Sequence, residues 1–366
     1  MKILIAPDSF KECLSAPEVA DIVCETVESA GHTGVKIPVA DGGEGFAAAL
    51  ASCMNAREII VEAHDALMRP IKAPYYLTNT GTVVLEAADT FGLARIEPEK
   101  RNPLLTTTFG MGEQIRHALN NGHCSFIIGL GGSATNDCGT GLMQALGFVL
   151  LDRNGNPLPD GAAGKDLAAV SRIVAPDIEI NVTLAVDVSN PLLGSDGAAA
   201  VYAPQKGADE TAVSLLEKGA DSFYQTIENS LCKTLSPCAG LGAAGGAGLP
   251  FYAYFDADLK SGIDLILENG SFDTEIRTAD LVITGEGRID AQTAFGKAPA
   301  GVAKRSGKVP VVAVCGCTGK GFESVYQAGI KAVYPITPEN TPFEQAKKNA
   351  PAYLKETVLK ILNAFA

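Results

Sequence analysis

Histidine is scarce in this chain. His32, His64, His117 and His123 are the whole complement of 366 residues, and none lies beside a glycine-rich loop. With no GxSxG elbow either, a Ser-His-Asp hydrolase is excluded. The nine cysteines contain no CxxC; Cys315 and Cys317 are separated by a single residue, so a zinc-type ligand set is absent. Odd in number and scattered, these thiols predict a reduced, cytoplasmic protein. No apolar run reaches the ~18 residues of a membrane span, and MKILIAPD opens on a strand rather than a secretory leader. Lysine and arginine nowhere form a stripe, and 42 acids against 29 bases leave a net charge of -13. Nucleic acid is therefore not expected as a partner, although a few local cations and backbone N–H groups can still hold a small anion. The P-loop pattern GxxxxGK[ST] is missing, since Gly316-Cys-Thr-Gly-Lys320 is too short for it, and protein-kinase signatures are missing too.

What the chain has in excess is glycine: 39 residues, clustered, against a usual ~7% of positions. The clusters follow short apolar runs: KILIAPD (2–8), VKIPVADGG (35–43), SFIIGLGGS (125–133), DLVITGEG (280–287) and VPVVAVCG (309–316), with KAVYPITP (331–338) as a sixth. Continuous apolarity predicts strands covered on both faces, as in a parallel sheet. Between them Ser15-Ala-Pro-Glu18 is a capping box opening a helix to about Ala30. Helices are also expected over Gly112 to Asn120, over Gly141 to Leu146 and from Pro342 to Ala366. Residues 57–88 alternate more and break at Asn79-Thr-Gly81, which predicts antiparallel strands. At this length two domains are expected. The pattern predicts a discontinuous Rossmann-like α/β domain, a doubly wound parallel sheet made of 1–50, 105–147 and 275–366. A mixed α/β domain made of 51–104 and 148–274 is inserted into it, with the active site in the cleft.

The chemistry is carried by the loops at the strand ends. Gly129-Leu-Gly-Gly-Ser-Ala-Thr-Asn-Asp137 follows a strand and opens a helix, so its N–H groups and the Ser133, Thr135 and Asn136 side chains can meet an anion. Its Gly129-x-Gly131-x-x-Ala134 spacing, with Asp152 21 residues past Gly131, also fits a loose dinucleotide fingerprint. Ala40-Asp-Gly-Gly-Glu-Gly45 sets Asp41 and Glu44 among glycines, which suits Mg²⁺ shared with substrate phosphates. Thr284-Gly-Glu-Gly-Arg-Ile-Asp290 carries Glu286, Arg288 and Asp290. Lys11 ends Asp8-Ser-Phe-Lys11, where it can pair with an anionic oxygen. Asp187, opening Asp187-Val-Ser-Asn-Pro-Leu192, is an acid at a strand end and a reasonable general base. Pro204-Gln-Lys-Gly207 lies not far on. Gly240-Leu-Gly-Ala-Ala-Gly-Gly-Ala-Gly248 is either a phosphate cradle or a hinge. Each loop taken alone is also readable as a ligand-free turn. Together, acids, cations and glycine amides on one sheet edge are what phosphoryl transfer needs. An NAD-dependent hydroxy-acid oxidoreductase and a non-catalytic nucleotide-binding sensor stay open as alternatives.

APDSFK followed by LSA (6–16), PVADGGEG (38–45), RNP then TTTFG (101–110), GLGGSATND (129–137), DVSNPL (187–192), PQKGA (204–208), GAAGG (242–246) and ADLVITGEGRID-QT (279–293) resemble, in order and over nearly the whole chain, the bacterial type I glycerate kinases. The chain departs from the family at Glu12 and Cys13, where glycine-serine is common, and at Cys138, often glycine. The resemblance implies two α/β domains around a cleft and ATP-dependent phosphorylation of D-glycerate with Mg²⁺. The product it implies is 2-phosphoglycerate rather than the 3-phosphate, in glyoxylate, glucarate or glycerate catabolism. On those positions, residue chemistry assigns Asp187, Lys11 and Arg288 to catalysis, and Ser9, Asp41, Glu44, Asn190, Glu286 and Asp290 to the substrate. Gly131, Gly132, Ser133, Asn136, Asp137, Gly245 and Gly246 are assigned to the nucleotide, and Asp41 and Glu286 to the metal. Oligomeric state is left open, a homodimer included.

Overall fold

The computed structural model describes residues 1–10, 13–40, 42–295 and 297–365. Among them thirteen strands run in chain order: β1 (Lys2–Pro7), β2 (Thr33–Lys36), β3 (Arg57–His64), β4 (Pro70–Leu77), β5 (Thr82–Glu86), β6 (Ser125–Gly129), β7 (Val149–Leu151), β8 (Arg172–Val174), β9 (Asn181–Ala185), β10 (Asp258–Lys260), β11 (Leu281–Ile289), β12 (Val311–Thr318) and β13 (Ile330–Pro335). They divide between two compact units, residues 1–41, 52–54 and 261–366 in the first, and 42–51 and 55–260 in the second.

The first unit holds a five-stranded, all-parallel sheet in the order β13-β12-β11-β1-β2. Counted within the unit this is the doubly wound order 2-1-3-4-5, whose direction of winding reverses between β1 and β11. The continuous apolarity of the runs has the expected cause. Ile3, Ile5, Leu281, Ile283, Val312 and Val314 form one core with Val19, Val23 and Val27 of the helix Ala16–Ser29 and with Leu354, Val358 and Ile361 of the helix Phe343–Phe365. Leu4 and Val282, which point to the opposite face, are equally buried. The helix Ala298–Arg305 packs against β11 and β1. The capping box is formed as the sequence requires: Glu18 N–H donates to Ser15 Oγ at 3.4 Å, and Ser15 N–H donates to Glu18 Oε2 at 2.8 Å.

The second unit is built on a six-stranded mixed sheet, β10-β9-β6-β5-β4-β3, with β7 and β8 as a separate antiparallel pair. β10, β9, β6 and β5 are parallel, while β5, β4 and β3 form an antiparallel meander, in keeping with the antiparallel strands expected over 57–88. The helices Phe109–Asn120 and Thr140–Ala145 fall where periodicity places them, the first starting earlier.

The division of the chain differs from the expected one at several points, and the largest concerns β6. β6 does not join the N-terminal sheet; it lies between β5 and β9, and residues 105–147 go with it into the second unit. Residues 42–50 also belong to that unit, and 261–274 belong to the first. The physical reason is that a strand buried on both faces has the same sequence signature in either sheet, and nothing local names its neighbour.

Candidate active site

In the first unit the ends of β1 and β11 come together. Pro7 pairs with Gly285, Asp8 N–H donates to Gly285 O at 2.8 Å, and Gly287 N–H donates to Ser9 O at 3.3 Å. Ser9 and Glu286 therefore share the C-terminal edge of the sheet, where open parallel sheets bind ligands. The Glu286 carboxylate is buried; it accepts the Thr293 hydroxyl at 2.5 Å and has Lys297 Nζ at 3.8 Å. Thr293 Oγ1 in turn accepts from Asp290 N–H at 3.1 Å, so one hydroxyl locks the turn and orients the acid. Arg288 is 65% exposed and only loosely paired, its Nε 3.9 Å from Asp290 Oδ2. It is a cation available to an anionic ligand. Asp290 Oδ1 accepts from Gln292 N–H at 2.9 Å, which makes it a turn-forming residue. Lys11 and Asp41 lie outside the described residues.

In the second unit Glu86, Gly129 and Ala185 stand in register at the ends of β5, β6 and β9, with Asp187 two residues beyond. Asp187 Oδ2 accepts a hydrogen bond from Gly42 N–H, and Gly131 N–H donates to Gly42 O at 2.9 Å. Glycine is required here for close approach. A Cβ on Gly42 would stand 2.5 Å from Asp187 Oδ2, and one on Gly131 2.3 Å from Gly43 Cα. Gly132 and Glu44 are exposed beside this cluster. Glu86 accepts from Gly45 N–H at 3.0 Å and Ala47 N–H at 2.7 Å, satisfying the first turn of the helix Phe46–Cys53. Burial, reinforced by Asp89, pushes the Glu86 carboxyl up to about 7. Burial likewise pushes Asp89 up to about 6, against the pull of Arg95.

The Gly129–Asp137 loop turns inward along its second half, which changes three assignments. Asp137 is fully buried and accepts from Thr108 N–H and Thr108 Oγ1, each at 2.8 Å, from Gly139 N–H at 3.2 Å and from Gly141 N–H at 3.4 Å. It ties two helix starts together, and its full burial is at odds with the expected nucleotide contact. Gly245 and Gly246 are buried as well; a Cβ on Gly245 would meet Thr135 O at 2.1 Å. Their lack of side chains allows close packing against residues 135–138. Asn190 is also committed, accepting from Tyr202 O–H at 2.5 Å and donating to Asp196 O at 2.8 Å. Cys138 holds a left-handed φ of 48°, the conformation that favours the glycine common there in the resembling family.

Lys206 is the residue that motif spacing pointed near without selecting. It is 2% exposed, and its Nζ donates to Ser133 Oγ at 2.9 Å and Thr135 O at 2.7 Å. Burial brings its ammonium down to about 7. One residue along, both amide atoms of Asn136 are buried without a hydrogen-bond partner. Glu86 carried the same signal as Asp187, an acid at a strand end, but its run reads as part of a meander. Among the described residues no group of three or more His, Cys, Asp or Glu side chains could hold a metal, and no helix is long and apolar enough to cross a membrane. Mg²⁺ does not need such a cage, since one or two carboxylates and substrate phosphates suffice.

Comparison with known proteins agrees with these motifs. The glycerate kinase family profile matches residues 3–366. The glycerate kinase of Bacillus subtilis (strain 168) is 44% identical over 99% of this chain and 97% of its own. The glycerate 2-kinase of Escherichia coli (strain K12) is 38% identical over 96% of this chain and 94% of its own. The crystal structure of a putative glycerate kinase 2 from Salmonella typhimurium LT2 superposes with a TM-score of 0.86 at 38% identity, covering 100% of this chain and 98% of that one. The oxidoreductase and sensor readings fall away, and the chain belongs to the glycerate kinase family, a family of phosphorylating enzymes.

Proposed function

We propose that the protein transfers the γ-phosphoryl group of ATP to the 2-hydroxyl of D-glycerate, giving 2-phosphoglycerate and ADP in a cytoplasmic route of glycerate consumption. The observation that carries this reading is the Asp187–Gly42–Gly131 cluster, a carboxylate fixed by a backbone amide at the ends of β6 and β9. Asp187 accepts the proton of the attacking hydroxyl. The oxygen then bonds to the γ-phosphorus as the bond to the bridging oxygen breaks and ADP leaves. Arg288, exposed and loosely paired, holds the glycerate carboxylate or the transferring group together with Lys11. Exposed Gly132 and half-exposed Gly131 offer backbone to nucleotide phosphates, next to Ser133, whose hydroxyl accepts from Lys206.

Mg²⁺ neutralises phosphate charge when bound. Glu286 fits it as a carboxylate oxygen donor, with Asp41 as the second candidate ligand. The test is a coupled assay with purified protein, ATP, Mg²⁺ and D-glycerate, followed by phosphorus NMR of the product. ADP release with the 2-phosphate is expected. No ADP, or the 3-phosphate as product, overturns the proposal.

A further inference from the structure

The first unit contains a cavity of about 240 Å³ that none of the assigned residues explains. It opens at the C-terminal edge of the parallel sheet, where Gly287 and Gly316 of β11 and β12 line it together with Ile336, just past β13. Gly316 and Gly287 form a bare floor: a Cβ on Gly316 would stand 2.7 Å from Gly287 O. Phe10 is one wall.

The opposite wall is the start of the helix Phe343–Phe365. Its apolar stripe is filled in the core by Leu354, Val358 and Ile361. Toward the N-terminus the same stripe continues through Ala350, Ala346 and Phe343, at helical spacing. Alanine at two of these positions leaves a slot where larger side chains would close the core. Phe343 stands at the mouth, 60% exposed, with Lys347 Nζ 5.3 Å from its ring centroid. Several large apolar side chains are exposed in this protein, but Phe343 borders an apolar cavity that its ring can help to close over a ligand.

Size and chemistry together select the occupant. Glycerate is a charged hydroxy acid, and apart from Lys347, Thr337 and Thr341 the lining offers its carboxylate and hydroxyls only apolar or thiol side chains. A flat aromatic ring has the reverse preference and gains from stacking on phenylalanine. The cavity is smaller than the ~300–1,000 Å³ of sites that enclose a whole drug-sized ligand, so it suits the base of a nucleotide and not the entire molecule. We propose that this cavity, bounded by Phe10, the Gly287–Gly316 floor and the first two turns of the helix Phe343–Phe365, receives the purine base of the phosphoryl donor. The inference rests on the kinase reading but goes beyond it by naming where the nucleotide is recognised.

Ala346→Trp fills the slot from a half-exposed position, and Phe343→Ala removes the wall at the mouth; neither touches the sheet core. For each variant KM for ATP is expected to rise about tenfold, while KM for glycerate stays within about twofold of the parent. A matching rise in KM for glycerate, or no rise for ATP in either variant, overturns the proposal. A fluorescent ATP analogue separates this result from failure of the kinase reading. If the parent protein binds the analogue without phosphorylating glycerate, loss of that binding in Ala346→Trp still supports the base pocket, and retained binding overturns it. If the parent protein does not bind the analogue at all, the proposal is likewise overturned. Thermal melting of both variants at the parent temperature shows that the fold is intact.

Discussion

Asp187 Oδ2 takes its hydrogen bond from the backbone N–H of Gly42, a residue 145 positions earlier in the chain. The contact brings the loop that opens the second unit against the end of β9, and it exists only because residue 42 has no Cβ.

If Asp187 receives the substrate proton, Asp187→Asn lowers kcat by about 10²–10⁴-fold and removes the acidic limb of its pH profile. Stopped assays across pH measure both. Near-normal kcat with unchanged pH dependence would remove Asp187 from the role of base. Gly42→Ala pushes a methyl group against Asp187 Oδ2 and is expected to lower kcat while leaving the melting temperature less affected.

Lys206 makes stability depend on pH in a definite direction. Burial lowers its folded-state ionisation to about 7 from an ordinary value of 10.5, so between those pH values the unfolded chain binds more protons than the folded one. The protein therefore gains stability as pH rises through that window, and the contribution is lost as pH falls through about 7. Lys206→Met abolishes this term. It also leaves Ser133 Oγ and Thr135 O without their donor, at a cost of about 1–3 kcal/mol for a buried group left unsatisfied. Denaturant melts at pH 6.5 and 9 test both effects.

Glu86 acts with the opposite sign. Its carboxyl is raised from 4.5 to about 7, so the stability this shift contributes is complete below 4.5 and is lost as pH rises through about 7. Glu86→Gln is expected to flatten the fall in melting temperature between pH 5 and pH 8. An unchanged slope would show that the carboxylate is better solvated than its burial implies.

Gly245 holds a φ of 68°, and a Cβ there would lie 2.1 Å from Thr135 O. Gly245→Ala combines left-handed strain with overpacking and should cost about 2–4 kcal/mol, read as a loss of denaturant midpoint. A substitution without effect would mean that the 135–138 loop yields easily.

Much of this protein was legible from its residues. The capping box at Ser15 and Glu18, the meander over 57–88 and the terminal helix are local patterns, and each formed where its chemistry required. The motifs that carry the family are also local: short runs of glycine and acid after strands, in a fixed order. Asp187 and Glu286 stood out for the same reason, as acids where strands end.

Other features depended on partners distant in sequence. The strand Ser125–Gly129 reads as buried on both faces, which is true, yet periodicity does not say which sheet supplies its neighbours. Glycine at 245 and 246 signals close approach without saying what approaches; here the backbone of residues 135 and 136 lies against Gly245, and Cys138 and Leu192 lie against Gly246. Asp137 and Asn190 look like ligand contacts until folding brings Thr108 and Tyr202 to them. Lys206 looks like a surface lysine in a loop until the Gly129–Asp137 segment closes over it. Sequence alone determined which residues could do chemistry, because residue type and spacing fix local conformation. Only tertiary structure decided which of them face inward as struts and which remain open to a ligand, because burial and pairing are settled by contacts that no local pattern encodes.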